Sequence, residues 1–218
     1  MIRSTITQQD LQDQDKMSTI VNELFDQVAD LVKESKQWSL IYRHGEITTR
    51  KNKSNSYIQR SSRHTADQVT YDQLRSLLHL NHSLNETKYI KQLTDAILLQ
   101  KVNAEADLVR LSFKTPAPCS NREFVELVAT REHNRSFMVV SQPAEYHSVK
   151  KGHVRGAYKA WELVNEIENE KGEKIVEWTC IQHSSAGGLI PRFISDLFAA
   201  RDFHHDVKCI INYIQENK

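Results

Sequence analysis

Ten histidines and three cysteines are the residues that first invite chemistry. A metal needs such side chains to converge on one point. His204-His205-Asp206 lies in a helical pattern, where adjacent residues point to different faces, and Cys180 and His183 lie three apart in a strand pattern, on opposite sides. No HExxH, GxSxG or phosphate-loop string occurs, and Ser184-Ser185-Ala186-Gly187-Gly188 falls short of a phosphate cradle. His64 with Glu86, or His153 with Glu177, would serve proton transfer if folding joined them. A second kind of chemistry lies in charges set among apolar neighbours. Arg110 sits in Leu108-Val-Arg-Leu-Ser-Phe113, Glu126 in Phe124-Val-Glu-Leu-Val128, and Arg155 and Glu162 flank Tyr158. Inside an apolar site these charges must be paired. On the outer face of a sheet they would simply meet water. The expectation is no metal, no cofactor and no catalytic residue.

The elements that carry these residues belong to a folded chain. Its 218 residues are 39% hydrophobic and 26% charged, with six glycines and four prolines, enough for a core of its own. A net charge of +1 excludes a bulk cationic field, so no nucleic-acid partner is expected. No run of 18 apolar residues offers a membrane span, and Met1 to Lys16 lacks the apolar core of a signal peptide. Cys119, Cys180 and Cys209 are scattered, which suits a reducing, cytoplasmic compartment. The neutral total hides a charge map, with a net +5 over 38–65 and a net −4 over 162–177.

Residues 1–16 read as a polar tail. From Met17 the spacing Ile20, Val21, Leu24, Phe25, Val28, Leu31, Val32 predicts an amphipathic helix over 17–36. Trp38 to Arg43 and Tyr57 to His64 read as strands. Thr70-Tyr-Asp-Gln73 and Ser83-Leu-Asn-Glu86 are two capping-box patterns, each opening a short helix. Strands are predicted at about 96–103, 107–114, 122–131, 136–142, 152–165 and 174–183, with Gly172 free to take positive φ in the last turn. The mixed faces of 152–165 call for a bulge. Pro191 suits the first turn of a helix that runs to about 216, with a phase slip near Arg201–Asp202. This order makes one α+β domain over 17–218. A curved antiparallel sheet wraps a long C-terminal helix at about 190–216 and leaves a ligand space between them.

The assembled order resembles the helix-grip fold of START lipid-binding domains, of the Bet v 1-type superfamily. Pro116-Ala-Pro-Cys-Ser-Asn-Arg122-Glu-Phe124-Val is similar to that family's loop-into-strand segment, with Glu123 where Asp is usual. Gly152-His-Val-Arg155-Gly and Trp178-Thr-Cys-Ile-Gln-His-Ser-Ser-Ala-Gly-Gly188-Leu-Ile-Pro191 resemble two later segments. Within the superfamily the chain is most similar to an uncharacterised fungal START-like family. That likeness rests on Arg60-Ser-Ser-Arg63-His64, Asn81-His82-Ser83-Leu-Asn-Glu86-Thr-Lys-Tyr89-Ile90 and Asn121-Arg122-Glu-Phe124, and it spans about Trp38 to Tyr213.

The resemblance implies noncatalytic binding, and possible intracellular transfer, of a lipid or other hydrophobic small molecule in the sheet–helix cavity. The cavity candidates are Arg110, Glu126, Arg155, Tyr158, Trp161, Trp178, Cys180, Ile194, Leu197 and Phe198. Val176, Trp178 and Cys180 share the more apolar face of their strand and are assigned inward. The Thr115–Asn121 loop, with two prolines, would lie beside the cavity mouth. Arg43, Arg50, Lys51 and Lys53 offer transient contact with an anionic membrane surface. Two other readings fit the same elements. One is a cyclase- or hydrolase-like enzyme, and the other is a protein-interaction module with a filled cavity.

Overall fold

The computed structural model describes residues 5–185, 187 and 203–217. Among them, β1 (Ser39–His44), β2 (Ile47–Lys51) and β3 (Ile58–Thr65) form one meander, and β4 (Leu93–Lys101), β5 (Ala106–Phe113), β6 (Asn121–His133) and β7 (Ser136–Pro143) form another. The hairpin of β9 (Ala157–Glu168) and β10 (Lys174–Ser185) joins the two, because β9 pairs with β7 and β10 with β3. The order across the sheet is β1-β2-β3-β10-β9-β7-β6-β5-β4, antiparallel throughout, with the three-residue β8 (His153–Arg155) running parallel beside β6. The irregularity expected within 152–165 is therefore a break at Gly156. A Cβ there would strike the Phe124 ring and the Ser185 carbonyl. Gly172 takes φ +76° in the β9–β10 turn.

Among the described residues five helices flank the sheet: α1 (Gln8–Gln12), α2 (Gln14–Ser35), α3 (Tyr71–Leu74), α4 (His82–Glu86) and α5 (His205–Glu216), with a π-helical turn, Arg75–His79, continuing α3. Strand periodicity divides the core in two. On the outer face, Met17, Ile20, Val21, Leu24, Phe25 and Val28 of α2 pack with Leu108, Leu127, Val140, Trp161 and Ile181. On the inner face, Tyr71, Leu74, Leu77 and Leu78 join Val207, Ile210 and Ile214 of α5 over Val128, Val139, Val164, Val176 and Trp178. Each such side chain contributes roughly 1.5–3 kcal/mol by leaving water.

Residues 5–12, expected to be part of a polar tail, are tied down. Ile6 is fully buried, its N–H donates to Pro143 O (2.8 Å) and its carbonyl accepts from the Glu145 N–H (2.8 Å). Thr7 and Asp10 then cap α1 reciprocally. Two apolar side chains, Ile6 and Leu11, suffice to anchor an otherwise polar segment. The first predicted capping box forms as read, with Thr70 and Gln73 exchanging bonds. The second does not: α4 starts two residues earlier, at His82, after a left-handed Asn81 (φ 51°), and the Ser83 hydroxyl makes no hydrogen bond.

Of the C-terminal helix expected over 190–216, α5 is the described part. Ile194, Leu197 and Phe198 lie outside the described residues. Along α5 the helix and sheet meet directly through Val207, Ile210 and Ile214, so no ligand space separates them there. Beside that contact, Arg60 of the inner face meets Phe203 and Asp206 at the start of the described C-terminal segment.

Candidate functional site

Arg60, Cys180 and Glu162 stand in one row across β3, β10 and β9, because the register pairs Cys180 with both of the others. Period two puts them on the inner face with Val176, Trp178, Tyr158 and Val164. Glu126 joins from β6, one step from the inner-facing Val128. Above the row, α4 contributes His82 and Glu86, and Tyr89 follows it. Asn85 fixes α4 in place. Its amide Nδ2 faces the carbonyls of Ser76 (3.2 Å), Leu77 (3.1 Å) and Leu80 (2.6 Å), which the π-helical turn leaves without ordinary helical partners.

The carboxylate of Glu162 accepts from the Trp178 indole N–H at 2.7 Å. His82 donates from Nδ1 to Leu78 O at 2.8 Å, since a carbonyl only accepts. Its Nε2 is thereby aimed at two acids, 3.7 Å from Glu86 and 3.9 Å from Glu162. Burial pushes the Glu126 carboxyl up to about 8, against a Ser141 hydrogen bond that favours ionisation. Burial pushes Glu86 up to about 8 as well. His82 pulls it down, while Glu126, Glu162 and Asp206 add to the rise. A fifth of the Glu86 side chain is exposed. Burial, reinforced by neighbouring acidic groups, also raises Tyr158, Tyr89 and Cys180. Near neutral pH Glu86 and Glu126 are thus protonated acids that can donate hydrogen bonds.

Arg60 is the strongest cation on this face, and it is 1% exposed. Its guanidinium lies 4.1 Å from the Trp178 ring centroid and 4.9 Å from that of Phe203. Nη1 donates to Phe203 O at 3.3 Å and lies 3.7 Å from Asp206, whose side chain is 48% exposed. Nε and Nη2 are buried and have no hydrogen-bond partner. Beside it, burial and the Arg60 charge push His64 down to about 4, and His64 Nε2 bonds the Ser62 hydroxyl at 2.8 Å.

The expected site residues divide between the two faces. Glu126, Tyr158, Trp178 and Cys180 stand on the inner face. Trp161 does not: it is fully buried under α2, on the opposite side of β9 from Tyr158 and Glu162. Arg110 and Arg155 are also displaced from the inner face. Both turn to Glu123, which is fully buried and shares the outer phase of β6 with Val125 and Leu127. Arg155 donates from Nε (3.1 Å) and Nη2 (2.6 Å), Arg110 Nε lies at 4.0 Å, and the Lys150 N–H donates at 3.0 Å. This arrangement clasps the loop before β8 to the sheet. Glu177 is bonded to Arg63, and His153 donates to Lys151 O, so the His153–Glu177 pair is not made. Among the described residues no group of three His, Cys, Asp or Glu is placed to hold a metal ion. Arg60, His82 and Tyr89 were not expected at the site.

The fold has solved counterparts. The crystal structure of human STARD10 superimposes with a TM-score of 0.74 at 13% identity, covering 88% of this chain and 79% of that one. Human StAR-related lipid transfer protein 5 gives 0.73 at 14% identity, covering 91% and 98%. A fragment of a STAR-related lipid transfer protein from Xanthomonas axonopodis gives 0.63 at 17% identity, covering 82% and 98%. At these identities the likeness establishes a START-like fold, a large antiparallel sheet with flanking helices, and nothing finer. No curated protein matches the sequence. The family described as "Protein of unknown function (DUF3074)" matches residues 57–214, and the chain belongs to that family.

Proposed function

We propose that the protein binds a lipid or other hydrophobic small molecule at its inner face, without catalysis, and passes it between membranes. The observation that carries this reading is the content of that face. A core built for stability alone has no use for the buried ionisable groups Arg60, Glu126, Glu162 and His82 on one face, and Arg60 leaves Nε and Nη2 without partners, each such buried group costing about 1–3 kcal/mol. A guest that supplies hydrogen bonds at one end and apolar surface at the other offsets that cost. The START-like fold supports the same reading, because two similar structures are of proteins named as StAR-related lipid transfer proteins.

A catalytic reading has one observation in its favour. His82 lies between acids, one of which, Glu86, is protonated near neutral pH. Its 3.7 and 3.9 Å separations exceed hydrogen-bond reach, however, and proton transfer needs that reach. Noncatalytic binding is therefore preferred.

Membrane contact is assigned to the β1–β2 hairpin. Leu40 and Ile41 are 47% and 45% exposed there, on strands that also carry Arg43, Arg50 and Lys51, with Lys53 just past the end of β2. Among the described residues no helix is long and apolar enough to cross a membrane. The test is to incubate the protein with mixed-lipid vesicles, remove them and weigh the protein by native mass spectrometry. A one-to-one adduct a few hundred daltons heavier is expected, and loading from anionic vesicles should slow as salt rises. A bare chain in every condition would refute binding, and salt-independent loading would refute the basic hairpin's role.

A further inference from the structure

We propose that the guest's polar end is an oxyanion, a carboxylate or a phosphate, gripped by Arg60. This rests on the binding reading above and adds the chemical class of the ligand. The argument starts from which nitrogens of the guanidinium are unsatisfied. Nη1 is occupied by Phe203 O and faces Asp206. The two without a partner are Nε and Nη2, and both are buried. Those two nitrogens form one edge of the planar fork, with parallel N–H bonds spaced to meet two oxygens of one carboxylate or phosphate. The guanidinium also lies over the rings of Trp178 and Phe203, whose contacts restrict its movement. A neutral hydroxyl would satisfy one of the two N–H groups and leave the other orphaned.

The surroundings suit an amphiphile. Ile58, Ala160, Cys180 and Phe203 form an apolar cluster around the guanidinium, with Tyr158 packed against it, which gives an acyl body a wall next to the charge. The carboxyl groups of this face do not all oppose an anion. Glu86 and Glu126 carry their protons near neutral pH, Glu162 is engaged by Trp178, and Asp206 is half exposed on the Nη1 side.

The experiment compares three C16 probes of matched chain: palmitate, hexadecyl phosphate and hexadecanol. Each displaces a fluorescent fatty-chain reporter from the full chain below its aggregation concentration. One or both oxyanions should bind at least tenfold more tightly than the alcohol, as a charge-assisted bidentate contact predicts, and the preferred one identifies the head group. Arg60→Met should remove the preference, lowering affinity for the favoured oxyanion at least tenfold more than affinity for hexadecanol, because the alcohol loses a single neutral hydrogen bond and the oxyanion a charge-assisted pair. Arg60→Lys should keep only part of it, since an ammonium lacks the fork. Equal affinity for acid, phosphate and alcohol in the unmodified protein would overturn the assignment while leaving apolar binding intact. If none of the three binds, the binding reading itself falls and the assignment falls with it.

Discussion

Glu126→Gln should be more stable than the unmodified protein at pH 9 and nearly equal to it at pH 5. The folded carboxyl titrates at about 8 instead of near 4.5, chiefly because it is buried. Between those two values the folded chain holds a proton that the unfolded chain has released, so stability declines as pH rises through this window. The contribution is complete below about pH 4.5 and gone above about pH 8. At roughly 1.36 kcal/mol per pH unit of separation, one such group removes on the order of 5 kcal/mol. Glutamine mimics the protonated acid and keeps a partner in Ser141, so the variant retains only the pH slope that Glu86 supplies. Carboxylates lowered by arginine partners, Glu105, Glu132 and Glu166, gain stability with pH only below their ordinary range and do not mask the effect. Urea unfolding at pH 5, 7 and 9 decides it. Parallel stability curves for the two proteins would show that Glu126 is ionised in the folded state.

Three residues away, Glu123→Ala should do the reverse. Glu123 points to the outer face, fully buried, with Arg155, Arg110 and the Lys150 N–H converging on its carboxylate. Removing it strands two arginines, and breaking a buried pair from one side costs about 3–5 kcal/mol. The lower end, about 3 kcal/mol, is expected, because the arginine side chains are 24% and 21% exposed and regain some water. Below its melting temperature the variant should still bind lipid as tightly as the parent, since the cluster lies across the sheet from the proposed site. A loss of affinity without a loss of stability would return Arg110 and Arg155 to the ligand.

The strands, the first capping box and the outward stripe of α2 were legible because they rest on period and cap chemistry that neighbouring residues decide. Trp178 and Cys180 were placed by the same parity and stand on the expected face. Trp161 was not. β9 is buried on both faces, so alternation carried no contrast, and only the break at Gly156 sets its phase. Arg110 and Arg155 read as cavity charges because a residue's own strand does not reveal that Glu123 waits beside it. Arg60 was hidden by company. It lies in a basic stretch that resembled a solvated hairpin, although its phase with the buried Ile58 was the available signal. His82 and Glu86 belonged to the most specific string in the sequence, yet their role depends on the crossover from β3 to β4, which carries α4 over the inner face.

The site's location can be measured with tryptophan itself. Trp38 and Trp161 belong to the outer cluster and Trp178 alone to the inner one. A bound lipid with a brominated acyl chain, whose bromines quench only on contact, should therefore dim one of three indoles. The quenching should vanish in Trp178→Phe while the lipid still binds. Persistent quenching in that variant, or bound lipid that quenches nothing in the parent, would place the guest elsewhere and contradict a binding site between the sheet's inner face and the C-terminal segment.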